Sequence, residues 1–235
     1  MSGPRILDLF CGEGGAAMGY HRAGFEVVGV DNDPAALRRY PFESIRADAL
    51  DVLTHTQFLA DFDAVHASAP CQAYSVTRHT HTRVHPELVE PARAGLIASG
   101  LPYVIENVPG APLRSPLLLC GSMFDLEAID SDGTRLRLQR HRLFESNVFL
   151  FGPGTRCGHD TRIEVGGVYG GGSSPRRPGS GHGGYSPGKQ TAAALIGADW
   201  MTLHGLAQSI PPAYTEFLGT QLLDHISATA LGGAA

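Results

Sequence analysis

The stretch RILDLFCGEGG, residues 5–15, decides the fold class of this 235-residue chain. Its apolar run Ile6–Phe10 predicts a buried strand, and three glycines follow between positions 12 and 15. The stretch Ala16–Ala23 predicts a helix directly afterwards. A strand, a glycine-rich turn and a helix in that order are typical of a βα unit that binds a ligand at the helix N-terminus.

The same alternation continues outward from this unit. Further strands are predicted at Glu26–Val30, Ser44–Arg46, Ala64–His66 and Tyr103–Val108, and helices at Pro34–Tyr40, Thr54–Ala60 and Pro86–Ser99. Strands that alternate with helices at this spacing predict an α/β fold with a parallel sheet. The pattern then changes, with antiparallel strands predicted at Leu117–Phe124 and Leu136–Phe151 and a last helix at Tyr214–Ile226.

The chain divides into four predicted segments. Residues 1–150 form the α/β domain, 151–190 a glycine- and arginine-rich segment, 191–227 helices that return to the domain, and 228–235 a frayed tail. The second segment has five basic and two acidic residues, in a chain whose net charge is −5. It also has ten glycines between Val165 and Lys189. This composition predicts little regular structure and a surface suited to phosphate groups.

Composition excludes several classes of protein. Hydrophobic residues make up 43% of the chain and charged residues 17%, as in a globular protein. The apolar runs are far shorter than the ~18 residues that a membrane span needs, and the N-terminus does not resemble a signal peptide. The four cysteines have neither zinc-motif nor redox-motif spacing. We therefore expect a reduced cytoplasmic protein with no membrane partner.

Two acidic residues follow later strands of the predicted sheet. Asp31 ends the second strand, about 20 residues after the glycine turn, where a carboxylate accepts hydrogen bonds from ribose hydroxyls. Asp48 follows the third strand and can accept from an adenine amine. With the glycine turn, these residues predict a site for an adenosine-containing cofactor. The alternative is a tight βα turn with no ligand.

Two further motifs follow the fourth and fifth predicted strands. Cys71, in APCQAYS (69–75), is a candidate nucleophile at the ligand-binding edge of the sheet; the alternative is a small buried side chain. Glu106 and Asn107, in VIENVP (104–109), place a carboxylate and an amide at the end of an apolar strand. Burial raises the pKa of a carboxyl group, so Glu106 is a candidate proton donor, unless it is a salt-bridged strand end.

These motifs, in this order, resemble the cytosine carbon-5 DNA methyltransferase family. The family's glycine turn reads DLFAG-x-GG, its nucleophile motif PPCQ and its acid motif ENV, against DLFCGEGG, APCQ and ENV here. Gln139–Arg142 is similar to the family's Arg-x-Arg strand and Gln208–Pro212 to its GNAVPP turn. The resemblance covers residues 5–150 and 195–222 and points to compact, phage-type members. We accordingly expect a monomer without a metal partner, in the cytoplasm of a bacterium or of a phage-infected host cell. Cys11, Ala69 and Gln208 depart from the family's alanine, proline and asparagine.

The resemblance implies a fold and a reaction. The fold is the Rossmann-like sheet of an S-adenosylmethionine-dependent methyltransferase, with a very small glycine-rich recognition lobe. The reaction transfers a methyl group from S-adenosyl-L-methionine to carbon 5 of a cytosine flipped out of double-stranded DNA, as in restriction–modification systems. In this reaction Cys71 would add to carbon 6, and Glu106 would hold the ring nitrogen and amine. Asn107 would orient the cysteine loop, and Arg140 and Arg142 would neutralise phosphate or the ring carbonyl.

The resemblance also assigns residues to two binding surfaces. The cofactor would contact the glycine turn, the following strand ends and the C-terminal turn, through Asp8, Phe10, Gly12, Glu13, Gly14, Gly15, Asp31, Asn32, Asp48, Pro70, Gln208 and Ser209. DNA would contact the cysteine loop and the glycine-rich segment, through Gln72, Ser75, Arg78, Arg83, Arg156, Arg162, Arg176, Arg177 and Lys189. So short a recognition segment predicts a site of roughly two to four base pairs.

Three alternatives stay open. His79, His81 and His85 offer a metal site, although a loop that closes over the flipped base explains them better, since no cysteine or acidic ligand joins them. The same chemistry could act on RNA, as in tRNA methyltransferases, although the Cys-Phe-Thr signature of those relatives is missing from the sequence. A catalytically silent DNA-binding decoy is disfavoured, because it has no reason to retain Cys71, Glu106 and Arg140.

Overall fold

The computed structural model describes residues 3–74, 85–160, 162–169 and 185–232. The first half alternates strands and helices: β1 (Arg5–Leu9), α1 (Gly15–Ala23), β2 (Glu26–Asp31), α2 (Pro34–Leu37), β3 (Glu43–Arg46), α3 (Ala49–Val52), α4 (Thr56–Leu59), β4 (Ala64–Ala67), α5 (Val89–Ser99) and β5 (Tyr103–Asn107). The second half contains β6 (Leu117–Leu119), β7 (Glu127–Ile129), β8 (Arg135–Arg137), β9 (Arg142–Ser146), β10 (Glu164–Val165), α6 (Lys189–Ile196), α7 (Leu203–Gln208) and α8 (Pro212–Gly232).

Seven strands form the main sheet, in the order β3-β2-β1-β4-β5-β9-β6. The first five are parallel, whereas β9 is antiparallel to both β5 and β6. The central strands β1, β2, β4 and β5 consist largely of apolar residues buried on both faces, as expected where helices cover a parallel sheet. The predicted α/β class is confirmed.

Parallel pairing brings the ends of β1, β2, β4 and β5 to one edge of the sheet. The glycine turn follows β1, Asp31 ends β2, the Cys71 loop follows β4, and Asn107 ends β5. Stretches that are far apart in sequence therefore meet where ligands bind in open α/β sheets.

A small sheet and the C-terminal helices complete the fold. β8 pairs with β7 and, in parallel, with β10. Side chains of α6 and α7 pack against β8 in a core of their own, and α8 packs along α1. Val168 and Tyr185 join the core that α6 and α7 form. The described ends of the glycine-rich segment are therefore more ordered than its composition predicts.

Several predicted elements differ from the structure. The strand predicted over Leu117–Phe124 ends at Leu119, and a 3-10 turn follows at Gly121–Met123. The helix predicted over Thr54–Ala60 corresponds to α4, whereas α3 precedes it and is not among the predicted helices; Asp48 caps α3 by accepting from the Leu50 N–H at 2.8 Å. The strand predicted over Leu136–Phe151 is divided between β8 and β9. The tail predicted to fray from Ala228 continues α8 to Gly232, in line with the helix propensity of alanine. No helix in the described ranges is both long and apolar enough to cross a membrane.

Candidate active site

The glycine turn adopts backbone conformations that favour glycine. The φ angle is 54° at Gly12 and 90° at Gly14, and Phe10 also has a positive φ of 59°. A Cβ atom at Gly14 would lie 2.7 Å from Pro41 Cδ, so a side chain does not fit there. A Cβ atom at Gly12 would meet nothing within 4 Å. Gly12 therefore borders open space at the edge of the sheet.

Asp31 fixes the shape of this turn from β2. Its Oδ2 accepts from the Gly12 N–H, and its Oδ1 accepts from the Asp33 N–H, both at 2.9 Å. Each carboxylate oxygen has a second lone pair, so Asp31 can still accept from the hydroxyls of a ligand. Its two neighbours along the chain, Asn32 and Asp33, are exposed.

Asp8 lies beneath the glycine turn. Its side chain is fully buried; Oδ2 accepts from the Tyr40 hydroxyl at 3.3 Å, and Oδ1 has no hydrogen-bond partner among the described residues. Burial raises the pKa of Asp8 to about 8, while the Tyr40 hydrogen bond lowers it and Asp31 raises it. Asp8 therefore supports the turn as a largely protonated acid. The cofactor contact of Asp8 stays a prediction beside this contact with Tyr40.

Glu13 points towards the C-terminal helices. Its carboxylate accepts from the backbone N–H and the hydroxyl of Thr202, both at 2.6 Å, and its carbonyl accepts from the Trp200 indole N–H at 2.7 Å. Thr202 is the N-cap of α7. Glu13 therefore ties the glycine turn to α7, and its cofactor contact stays a prediction.

The other predicted cofactor residues lie near the same edge. Pro70 and Asp48 are exposed, and one oxygen of Asp48 caps α3. Gln208 is exposed and contacts His204, with 3.0 Å between Nε2 atoms, while the Ser209 hydroxyl donates to the Leu206 carbonyl at 3.0 Å. A Cβ atom on Gly15 would meet Ser209 Cβ at 3.0 Å, so the C-terminal turn packs directly on the glycine turn.

Cys71 lies on the loop after β4, and Asn107 holds that loop. The Asn107 amide donates to the Ala69 carbonyl at 2.9 Å, and its oxygen accepts from the Val108 N–H at 2.9 Å. The Cys71 carbonyl accepts from the Tyr74 N–H at 3.0 Å, which closes a turn and leaves Cys71 half-buried. Asn107 thus makes the kind of contact that a loop-orienting residue needs.

Charged neighbours act on the Cys71 thiol. Burial raises the pKa of Cys71; Arg142 opposes this increase, and Glu106 adds to it. The free thiol is therefore mainly protonated at neutral pH. The electrostatic influence of Arg142 and Glu106 on the thiol also means that all three groups share one site.

Glu106 is buried on β5 beside Arg142 of β9. Glu106 Oε1 and Arg142 Nε are 2.8 Å apart, but the N–H is not directed at the oxygen, so the contact is an ion pair. Oε1 thus lacks a hydrogen-bond donor among the described residues. Burial raises the pKa of Glu106 to about 6, although Arg142 and Arg140 lower it. A carboxyl group with this pKa can exchange a proton with a bound ring near neutral pH.

Arg140 is buried and bonded to the backbone. Its guanidinium donates to four carbonyls at distances between 2.6 and 3.3 Å, those of Val168, Leu206, Ala207 and Ser209. These bonds hold the end of α7 and the backbone at Val168 against the residue that lies two positions before β9. Arg142 faces Glu106, whereas Arg140 positions backbone; the contacts of both arginines with phosphate or the ring carbonyl stay predictions.

The predicted DNA contacts lie partly within the described residues. Gln72 is on the Cys71 loop, and its Oε1 is buried without a hydrogen-bond partner there. Arg156 and Lys189 are exposed, and the exposed Arg162 pairs with Asp160 at 2.8 Å. The remaining candidates, Ser75, Arg78, Arg83, Arg176 and Arg177, lie outside the described residues, as do His79 and His81.

Two structural features were missed by sequence reasoning. Thr202, followed by the apolar residues of a short helix, carries a recognisable N-cap signal, but nothing in the sequence links it to Glu13. The second feature is a cluster of two cysteines and two histidines, Cys120, His141, Cys157 and His159. Its members come from different parts of the chain, so their spacing matches no motif.

The family comparison covers the part of the chain with these motifs. Residues 4–109 match the model of the family described as C-5 cytosine-specific DNA methylase, a range that includes the glycine turn, Cys71 and Glu106. Residues 4–109 belong to the C-5 cytosine-specific DNA methylase family. The predicted family is confirmed for residues 4–109, which carry the motifs of a cytosine-5 methyltransferase enzyme. No curated protein matches the chain in sequence.

Solved structures of methyltransferases share the fold over almost the whole chain. A candidate DNA modification methyltransferase encoded within a prophage of E. coli has a TM-score of 0.59 at 14% identity, covering 95% of this chain and 99% of its own. The Dnmt2 methyltransferase of S. pombe has a TM-score of 0.59 at 12% identity with the same coverage. The methyltransferase EhMeth of Entamoeba histolytica has a TM-score of 0.55 at 13% identity, covering 96% and 99%. These likenesses establish the Rossmann-like methyltransferase fold.

Proposed function

We propose that this enzyme methylates carbon 5 of cytosine in double-stranded DNA, using S-adenosyl-L-methionine and a covalent intermediate on Cys71. The observation that carries the proposal is the meeting of three groups at one edge of the sheet. A half-buried thiol follows β4, a buried carboxyl group with a pKa of about 6 lies on β5, and a glycine turn with open space follows β1.

The residues present fit the proposed cofactor. The positive φ of Gly12 and the open space beside it leave room for a ligand against the backbone, and Asp31 retains acceptor capacity for ribose hydroxyls. Asp48 offers its second carboxylate oxygen at the neighbouring strand end. When bound there, S-adenosyl-L-methionine supplies an electrophilic methyl group. Glu13 supports this site through its contact with α7, and Asp8 supports it from the buried strand β1.

Cys71 makes the cytosine reactive in this mechanism. Carbon 5 of cytosine is a weak nucleophile, but a thiolate that adds to carbon 6 converts the ring to an enamine. The new carbon–sulfur bond moves electron density towards carbon 5 and ring nitrogen 3. After methyl transfer, loss of the carbon-5 proton to a base, for which we propose water, lets the sulfur leave and restores the ring.

Glu106 stabilises the charge that develops on the ring during this addition. Its unpaired Oε1 can hold the proton that ring nitrogen 3 gains as the enamine forms, and the other oxygen can accept from the exocyclic amine. Arg142 compensates the negative charge of Glu106 when the proton is transferred. Arg142 also lowers the pKa of Cys71, which favours the thiolate once substrate closes the site.

Two observations support DNA as the substrate. The matched family is that of DNA methylases, and one structurally similar protein is titled a DNA modification methyltransferase. The exposed Arg156 and Lys189, at either end of the glycine-rich segment, add positive charge suited to phosphate. The target base must leave the helix stack to reach Cys71.

Methyl transfer from labelled S-adenosyl-L-methionine to three substrates tests the proposal. Duplex DNA, total RNA and free nucleotides are assayed in parallel, and the product is identified by mass spectrometry of the digested nucleosides. We expect 5-methylcytosine in DNA and none in the other two substrates. If the label is transferred to RNA and not to DNA, the chain is an RNA methyltransferase. If none of the three substrates becomes labelled, the result favours a catalytically silent DNA-binding protein.

A further inference from the structure

Cys120, His141, Cys157 and His159 converge outside the catalytic edge. Cys120 follows β6, His141 precedes β9, and the other two lie on the loop that leads towards β10. Their four ligand atoms, two Sγ and two imidazole nitrogens, all lie within 4.8 Å of one another. This cluster takes no part in the chemistry proposed above.

Three of the six distances between ligand atoms of the cluster are close to those of a tetrahedral metal site. Cys120 Sγ is 3.6 Å from His159 Nε2, His141 Nε2 is 3.2 Å from Cys157 Sγ, and Cys157 Sγ is 3.0 Å from His159 Nε2. Zinc bonds of about 2.3 Å to sulfur and about 2.0 Å to nitrogen place neighbouring tetrahedral S and N ligands roughly 3.5 Å apart. The side chains therefore need only small shifts to bind one ion.

We propose that these four side chains bind a single Zn²⁺ ion. Two thiolates and two neutral imidazoles form a ligand set that zinc prefers, and four protein ligands close the coordination sphere, as in structural zinc sites. Two thiolates also neutralise the charge of the ion, which suits a half-buried position.

Neighbouring groups match the surroundings that a zinc thiolate site needs. The Ser122 hydroxyl lies 3.3 Å from Cys120 Sγ and 3.8 Å from Cys157 Sγ, so it can donate to a thiolate. The buried Arg137 donates to the Gly158 carbonyl at 3.4 Å, between the two ligands of the loop. A positive charge and a hydroxyl donor beside the sulfur atoms both favour the thiolate form.

The proposed ion would fasten the loop of residues 152–160 to the main sheet. Cys157 and His159 belong to this loop, whereas Cys120 and His141 flank strands of the sheet. His141 lies between Arg140 and Arg142, so the site would also fix the backbone that presents both arginines. The fold thus assembles, from distant residues, a site that cysteine spacing alone does not predict.

Metal analysis of the full chain, purified without a histidine tag under reducing conditions, tests the proposal. We expect one zinc per chain, and after exchange with Co²⁺ the visible bands of tetrahedral cobalt with a thiolate charge-transfer band. The variants His159→Ala and Cys157→Ser should hold almost no zinc. His159 is exposed, so its variant should fold, and its circular dichroism spectrum checks this directly.

Two matched controls separate the proposed site from other thiols and imidazoles. Cys71→Ser and His225→Ala remove a cysteine and an exposed histidine outside the cluster, and both should keep the full zinc content. The proposal is overturned if the reduced wild-type chain takes up neither Zn²⁺ nor Co²⁺, or if the cluster variants retain the metal. A Cys120–Cys157 disulfide in the freshly isolated chain would also overturn it.

Discussion

Glu106 combines burial with an arginine neighbour, and its role can be tested at the scale of one residue. Because its folded pKa is about 6, the proton-donating form is abundant below that pH and declines above it. Glu106→Gln keeps the volume and can still donate a hydrogen bond, but it cannot transfer a proton. We expect methyl transfer to fall by about 100-fold or more, the usual contribution of a positioned acid.

The pH profile of this variant distinguishes proton transfer from a structural role. Since the protonated form of Glu106 is the donor, kcat/KM of the wild type should contain a decline as pH rises above about 6. The variant should lack that decline. A variant with wild-type kinetics and an unchanged profile would make Glu106 a structural ion-pair partner.

Single residues also mark where sequence reasoning ends. The motifs identify Cys71, Glu106 and Asn107 as a group because each follows a predicted parallel strand, and such strand ends share an edge. The motifs do not reveal in which direction each side chain points. Glu13 and Arg140 fall within motifs, yet Glu13 contacts Thr202 and Arg140 contacts four carbonyls, because long-range packing determines which way a side chain points.

At the scale of elements, a buried ion pair joins α5 to β9. The Arg93 guanidinium donates twice to the Glu145 carboxylate, both at 2.7 Å, and both side chains are almost fully buried. Arg93→Met leaves the Glu145 charge buried without its partner, so we expect a loss of about 3–5 kcal/mol in the free energy of unfolding.

Urea denaturation measures this loss, and a double variant provides its control. Arg93→Met with Glu145→Leu removes both charges, and it should recover most of the lost stability because no buried charge remains. If the single and double variants were equally destabilised, packing rather than charge would hold α5 against β9.

The glycine-rich segment provides a second test at the scale of elements. Arg176 and Arg177 lie outside the described residues, and the sequence predicts that they contact phosphates. Changing both to alanine should weaken DNA binding and reduce the slope of log affinity against log salt by about 0.9 for each lost contact. Binding of S-adenosyl-L-methionine should not change.

The chain offers a matched control for this double change. Arg38 and Arg39 are also adjacent in sequence and are exposed, but they follow α2, far from the glycine-rich segment in sequence. Arg38→Ala with Arg39→Ala should leave the affinity for DNA and its salt slope near the wild-type values. Equal effects of the two pairs would mean that net charge, rather than the segment, governs DNA binding.

At the scale of the whole molecule, burial of Asp8 makes stability depend on pH. Its folded pKa of about 8 lies above the ordinary value of 3.8, so between these values the folded state holds a proton that the unfolded state releases. Rising pH therefore removes stability across this window. Asp8→Asn, which cannot titrate, should lack this loss.

Denaturation of the wild type and of Asp8→Asn at about pH 5 and about pH 8 measures this loss of stability. The linkage relation applies to the difference in unfolding free energy between the two proteins. The wild type should lose stability relative to Asp8→Asn as the pH rises. A difference between the two proteins that stays the same at both pH values would show that Asp8 is already ionised in the folded protein at about pH 5. Other titrating groups cancel in this comparison.

Much of the whole fold follows from sequence, because alternating strands and helices of ordinary length leave few arrangements of a parallel sheet. The arrangement of residues 117–169 does not follow from the sequence. Short runs such as Arg135–Arg137 carry too little periodicity to show that β8 leaves the main sheet to pair with β7. The cysteine and histidine cluster depends on that arrangement, so it too becomes visible only in three dimensions.

The central claim is that Cys71 adds to carbon 6 of cytosine, and covalent trapping tests it most directly. Duplex DNA that contains 5-fluorocytosine is incubated with the enzyme and S-adenosyl-L-methionine, because fluorine blocks the elimination that releases the cysteine. We predict a complex that survives denaturation, with the DNA attached to the peptide that contains Cys71, and no complex with Cys71→Ser, although this variant still binds the cofactor. Trapping through another residue, or methylation by Cys71→Ser near the wild-type rate, would contradict the account.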